Sequence, residues 1–170
     1  RAFSRALDMD VRSAEAHQGL ALVHQLNGER DLAEASFKRA LKGRFDLSEA
    51  SVQVSYGRFL LQEKRYEEAL PHFVSASKDI EYPSRANAIY LIGMSALNLD
   101  DKPRALGSFE HALNLNPKHA KASIELAALH FENREYAKAK KFLDAFAANA
   151  DQSPRSLLLG IKLERIFGNK

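Results

Sequence analysis

The chain has no cysteine, no apolar run of transmembrane length and no block of charge of one sign. The first absence removes disulfides and every Cys-based zinc site, and it leaves the redox compartment open, because a chain without thiols is indifferent to it. The second excludes a membrane-spanning helix, which needs about 20 consecutive apolar residues. The third bears on partners. The 25 basic and 22 acidic residues are interspersed, so a net charge of +3 provides no basic stripe for nucleic acid or anionic lipid. Gly-x-Gly-x-x-Gly, the P-loop, the nucleophile elbow and His-Glu-x-x-His are also missing. His17 and His24 lie about 10 Å apart along one predicted helix, too far for shared metal ligation, and His72 and His130 stand alone. No catalytic residue, no cofactor and no metal ligand is expected, which points away from an enzyme. The Asp100-Asp101 pair reads as a solvated turn and helix cap rather than a cation site. With 170 residues and 45% hydrophobic content, one elongated domain can still bury a shared core.

What is present is repetition. Phe3, Phe37, Phe73 and Phe109 form a column with a period of about 34 residues, and Ala6, Ala40, Ala76 and Ala112 follow them at a constant offset. Ala33, Ala69, Ala105 and Ala139 form another column. A small-residue column runs through Ala21, Gly57, Gly93, Ala127 and Gly160, each preceded by a large residue. These columns resemble the tetratricopeptide-repeat (TPR) superfamily over the whole chain. The resemblance implies an all-α, right-handed superhelical solenoid of antiparallel helix pairs, with about ten helices in a single domain over 1–170. A second helix of a truncated repeat is expected at 1–13, complete repeats at 14–47, 50–83, 86–119 and 120–152, and the first helix of a further repeat at 153–170.

The residue types follow from packing. A helix pair cannot bury its apolar face alone and must stack on its neighbours. Glycine inside a helix costs roughly 1 kcal/mol relative to alanine, so Gly57, Gly93 and Gly160 require a compensating gain, for which close helix approach is the expected source. The phenylalanines are expected to fill the space between hairpins. Asn27-Gly28, Leu99-Asp100-Asp101 and Asn133-Arg134 read as turns between first and second helices. Pro103 and Pro154 suit first helical turns, whereas Pro71 falls within a second helix, where a slight bend is expected. The junctions before residues 50 and 86, each with two extra residues between repeats, are expected to be longer than standard.

In the TPR superfamily the first helix of each pair lines a concave face. Carrying that register over implies a protein-binding groove of Gln18, Leu22, Val54, Arg58, Leu61, Asn87, Tyr90, Met94, Leu97, Ile124, Phe131, Leu157 and Ile161, with Glu15, Gln25, Ser51, Lys121 and Ala128 at further positions of the same register. This stripe is largely apolar and suits an extended or helical peptide with aliphatic anchors, or else inward packing. A carboxylate clamp of lysines and asparagines is not expected, because Gln18, Leu22, Val54, Tyr90 and Met94 occupy the relevant positions.

Three longer segments are more specific than the columns. Ser55–Ala69 resembles the stretch NYGxFLxxxxRYxEA, Tyr82-Pro83-Ser84-Arg85 a YPxR junction, and Ser156–Glu164 a terminal SLxLGIRL helix, all characteristic of the type IV pilus biogenesis lipoproteins called PilF or PilW. Ser55 stands where the family has asparagine. The resemblance implies a pilotin: a periplasmic protein tethered to the outer membrane by an acylated cysteine, here expected upstream of Arg1, that helps the pilus secretin reach the membrane and multimerise. Its partner would be the secretin or another pilus assembly protein, and nucleic acid is not expected. Two further readings stay open, an adaptor for another envelope or cytoplasmic complex and the regulatory TPR part of a larger enzyme. The final repeat is expected to lack its second helix.

Overall fold

Alanine and phenylalanine at i, i+4 and i+7 give a helix one narrow apolar stripe, and that stripe is what the second helices bury. The computed structural model of the protein describes residues 13–45 and 48–168. Among the described residues there are nine helices, in the order α1 (Ala14–Leu26), α2 (Arg30–Ala40), α3 (Glu49–Gln62), α4 (Tyr66–Lys78), α5 (Arg85–Asn98), α6 (Lys102–Leu115), α7 (Ala120–Glu132), α8 (Tyr136–Ala147) and α9 (Pro154–Gly168). No described helix is long and apolar enough to cross a membrane. The helix expected over 1–13, with Phe3 and Ala6, falls outside the described residues apart from Ser13. That serine instead caps α1, its hydroxyl accepting from the Ala16 N–H at 3.2 Å.

Each first-to-second-helix turn is closed the same way. Gly28, Lys64, Asp100 and Arg134 sit at φ of 78°, 60°, 61° and 61°, in the left-handed region. The following N–H reaches back to the carbonyl five residues earlier, as in Glu29 to His24 at 2.9 Å, Arg65 to Leu60 at 2.9 Å, Asp101 to Ala96 at 2.9 Å and Glu135 to His130 at 2.8 Å. These bonds satisfy helix-end carbonyls that would otherwise lack partners. The segments linking successive pairs, 41–48, 79–84, 116–119 and 148–153, differ in length, and the two at residues 50 and 86 exceed the one before residue 120. Pro71 lies exposed in the sixth position of α4, where it cannot donate to the Glu67 carbonyl.

The chain divides into two compact units, Arg1–Ala88 and Ile89–Lys170. In the first, Phe37 and Phe73 are fully buried. Phe37 stacks on Tyr56 at 5.4 Å and meets Phe59 at 5.6 Å, which joins α2 to α3. Phe73 lies so close over Gly57 that a Cβ there would stand 2.7 Å from its Cε1, the close approach expected of a helical glycine.

An ion network closes the polar edge of this unit. Arg65 donates to Glu34 at 2.6 and 3.0 Å and to Glu68 at 2.7 Å through both Nε and Nη2, while the Tyr56 hydroxyl donates to Glu34 at 3.1 Å. The Arg65 hydrogen bonds, against an opposing contribution from burial and with help from Lys38 and Tyr56, hold the Glu34 carboxyl down at about 2. Because the folded-state value is depressed, the stability Glu34 contributes is present above the ordinary glutamate range and is lost as pH falls from about 4.5 toward about 2. Glu34→Gln is therefore expected to flatten the fall in stability across that window while lowering stability at neutral pH. Urea midpoints of both proteins between pH 7 and pH 2.5 check this, and parallel profiles would count against it.

In the second unit Phe109 is fully buried over Gly93, where a Cβ would stand 2.5 Å from the ring. Ile124, Ala127, Ala139, Phe146, Leu159 and Leu163 form the core of α7, α8 and α9. Gly160 departs from the expectation of close approach, because its nearest neighbour is Leu143 Cδ2 at an ordinary 3.7 Å. Asp101 caps α6 through the Arg104 N–H at 3.1 Å. Ser153 and Ser156 cap α9 reciprocally, each backbone N–H donating to the other's hydroxyl at 2.8 and 3.2 Å.

Candidate functional site

The first-helix faces are built differently in the two units. In the first, Gln18 of α1 reaches α3, its Nε2 donating to the Ser55 hydroxyl at 2.7 Å and lying 3.4 Å from both oxygens of Ser51. Gln25 and Gln62 bond to each other about two turns further along. Leu22 is 43% exposed, Arg58 is exposed, and Leu61 and Asn87 are half-buried. Val54 is buried and adds to the packing under the face rather than to its surface. Glu15 and Ser51 are half-buried. The structure thus brings Leu22, Gln25, Arg58 and Gln62, with Leu26 and Ser55, to one open cleft.

In the second unit, Tyr90 is only 9% exposed, its ring set against Phe109 at 5.6 Å and His119 at 5.0 Å. Burial, with the negative charge of Glu125 adding to it, pushes the Tyr90 phenol up to about 12, so it stays a neutral hydroxyl. Ile124 is buried, while Met94, Leu97, Ala128 and Phe131 are half-buried. Lys121 is exposed. The Lys162 ammonium lies 5.9 Å from the centre of the Phe131 ring, and Tyr136 meets that ring edge-on at 5.5 Å. Leu157 and Ile161 are about half exposed on α9, where with Leu143, Phe146 and Gly160 they line a second cleft of about 600 Å³ between α8 and α9.

Two residues of this face went unnoticed in the sequence. Glu125 is buried, and Arg155 of α9 grips it with two parallel bonds of 2.6 and 2.8 Å. Such a pair fixes α9 against α7 in one register. A glutamate between Ile124 and Leu126 in an otherwise apolar helix was the available signal, but nothing in the order of residues assigns its partner 30 positions away.

Three histidines serve the scaffold. His130 is buried, stacked on Phe142 with planes 3° apart, and its Nδ1 meets Glu135 at 2.6 Å. His24 meets Glu29 at 2.5 Å at the corresponding turn of α1 and α2. His119 Nδ1 accepts from the Ala122 N–H at 3.2 Å and caps α7, and burial holds this ring below the usual imidazole range, which keeps the acceptor nitrogen unprotonated. Among the described residues no three His, Cys, Asp or Glu side chains converge on a point where a metal ion could sit. The faces combine half-exposed aliphatic side chains with amides and the guanidinium of Arg58, which makes no ion pair among the described residues, a chemistry suited to holding a peptide.

Tetratricopeptide-repeat family profiles match residues 20–84 and 96–159. The type IV pilus assembly protein PilF of Pseudomonas aeruginosa is 38% identical over 166 residues, 98% of this chain and 65% of that protein. Its solved structure superposes with a TM-score of 0.92 over 98% of this chain and 74% of that one. The chain belongs to the PilF family of tetratricopeptide-repeat proteins. A crystal structure of PilW, described as a widely conserved type IV pilus biogenesis factor, shares the fold at a TM-score of 0.81 and 24% identity, covering 98% of this chain and 76% of that one. The chain spans just under two thirds of the length of the curated PilF it matches. Within the PilF-like segment Ser55–Ala69, the structure accounts for Arg65, Glu68 and Ala69, the first two through the ion network with Glu34 and the last through complete burial. Arg58, at a variable position of that segment, takes no part in it.

Proposed function

We propose that this protein is a non-enzymatic scaffold of type IV pilus biogenesis that acts as a pilotin, promoting outer-membrane localisation and multimerisation of the pilus secretin. The 38% identity to PilF over 98% of the chain, with the TM-score of 0.92, is the observation that supports it. In this reading the chain works on the periplasmic side of the outer membrane, held there by a lipid anchor upstream of Arg1, and the first-helix faces receive a segment of the secretin or of another pilus assembly protein. Binding alone is sufficient for the task, since the scaffold need only hold subunits while the lipid directs sorting.

Deleting the gene is expected to reduce assembled secretin in outer-membrane fractions and to abolish surface pili. Restoring it with Leu22→Arg or Met94→Arg, both at positions open enough to accept the change, is expected to give partial rescue at normal protein level. Unchanged secretin multimers and normal piliation in the deletion strain would overturn the reading. Full rescue by both variants would instead move the binding face to the second helices.

A further inference from the structure

The cleft of the first unit has about 650 Å³ between α1 and α3, and its two walls differ in chemistry. The α1 wall is apolar apart from Gln25. Leu22 and Leu26 stand one helical turn apart, 43% and 87% exposed, and form a short open apolar strip. The α3 wall is polar, made of Ser55, Arg58 and Gln62, and among the described residues Arg58 is the one charged side chain lining the cleft. Four carboxylates of this unit are committed to other partners: Glu63 to Arg30 at 3.1 Å, Glu29 to His24 at 2.5 Å, and Glu34 and Glu68 to Arg65. Arg58 makes no ion pair among the described residues. The amides of Gln25 and Gln62 face each other across the cleft, and each keeps donor and acceptor capacity beyond that single bond.

We infer that this cleft takes an extended partner segment in which aliphatic and acidic side chains alternate, the aliphatic ones packing on Leu22 and Leu26 and a carboxylate pairing with Arg58. The inference rests on the scaffold reading and narrows its partner. An extended chain sends successive side chains to opposite sides, so a segment lying between two unlike walls shows one set to each. Its like-facing residues recur at about 6.6 Å, close to the roughly 6 Å between residues one helical turn apart. Such a segment also carries unpaired backbone N–H and C=O groups, which the two glutamine amides and the Ser55 hydroxyl can satisfy; a helical ligand has already used its own. A guanidinium without an internal partner favours a carboxylate, to which it can donate two parallel bonds, and it repels a basic segment. A single cation cannot neutralise the repeated phosphates of a nucleic acid.

Fluorescein-labelled decapeptides of alternating Glu and Leu, with Gln/Leu and Lys/Leu counterparts, are titrated with the 170-residue chain and read by fluorescence anisotropy. The Glu/Leu peptide is expected to bind tightest, the Gln/Leu peptide about tenfold more weakly, as loss of one charge-assisted contact implies, and the Lys/Leu peptide weakest. Arg58→Glu, at an exposed position and with unchanged circular dichroism, is expected to invert the order in favour of Lys/Leu, whereas Leu26→Ser weakens all three alike. Equal affinity for the Glu and Gln peptides, an order unmoved by Arg58→Glu, or no binding of any peptide overturns the inference. The deletion experiment on secretin assembly judges the scaffold reading separately, so the two can fail independently.

Discussion

Phe109→Ala is expected to lower folding stability by about 3–5 kcal/mol, because a fully buried ring is removed from a site whose backbone neighbour has no side chain to collapse into the space. The same contact predicts the behaviour of its partner. Gly93→Ala places a methyl 2.5 Å from Phe109 Cε1, so the ring must shift in a closely packed site at a cost of about 1–3 kcal/mol, more than the roughly 1 kcal/mol of helix propensity that alanine gains. Combining Gly93→Ala with Phe109→Leu is expected to cost less than the sum of the two single changes, since the smaller side chain makes room for the methyl. Gly160→Ala in the 170-residue chain is the control: with only Leu143 at 3.7 Å, the propensity gain is unopposed and stability rises by up to about 1 kcal/mol. Urea unfolding followed by circular dichroism measures all five variants, the Phe109→Leu single change included. Additive behaviour of the Gly93 and Phe109 changes would mean that the ring does not depend on the missing Cβ.

Tyr90→Arg is expected to destabilise the second unit by several kcal/mol rather than to act as a clean surface change. The ring is set between Phe109 and His119, 9% exposed, and the replacement would place a guanidinium among them with the Glu125 carboxylate already engaged by Arg155 at 2.6 and 2.8 Å. Leu22→Arg, at a 43% exposed position, is expected to stay within about 0.5–1 kcal/mol of the parent. Thermal melts of the two variants separate these outcomes. A Tyr90→Arg protein that melts with the parent would show that the aromatic contacts contribute little. The contrast also decides which substitutions can test partner binding, because a loss of recruitment caused by Tyr90→Arg would report on the fold.

The register of the first helices was readable because side-chain positions on a helix repeat every 3.6 residues whatever the helix packs against. The depth of each position was not. Val54, Ile124 and Leu157 hold corresponding positions of their first helices, yet the first two are buried and Leu157 is about half exposed, since burial depends on how closely neighbouring helices approach. Gly57, Gly93 and Gly160 stand in one column, but only the first two have a phenylalanine ring on them. Arg65 and Glu68 were legible as part of a family segment, while Glu34, which they need for the network, comes from a different hairpin and carries no local signal.

Composition and periodicity determined that the chain is helical, repetitive and without the motifs of the common catalytic sites, because apolar period and turn residues are local properties. The three specific segments carried the family. Tertiary structure alone decided that Tyr90 belongs to the core, that Glu125 and Arg155 form a pair, and that Arg58, beside two exposed leucines, has no carboxylate partner among the described residues. These are matters of which side chains from distant repeats meet. Distance along the chain says nothing about that until the helices have packed.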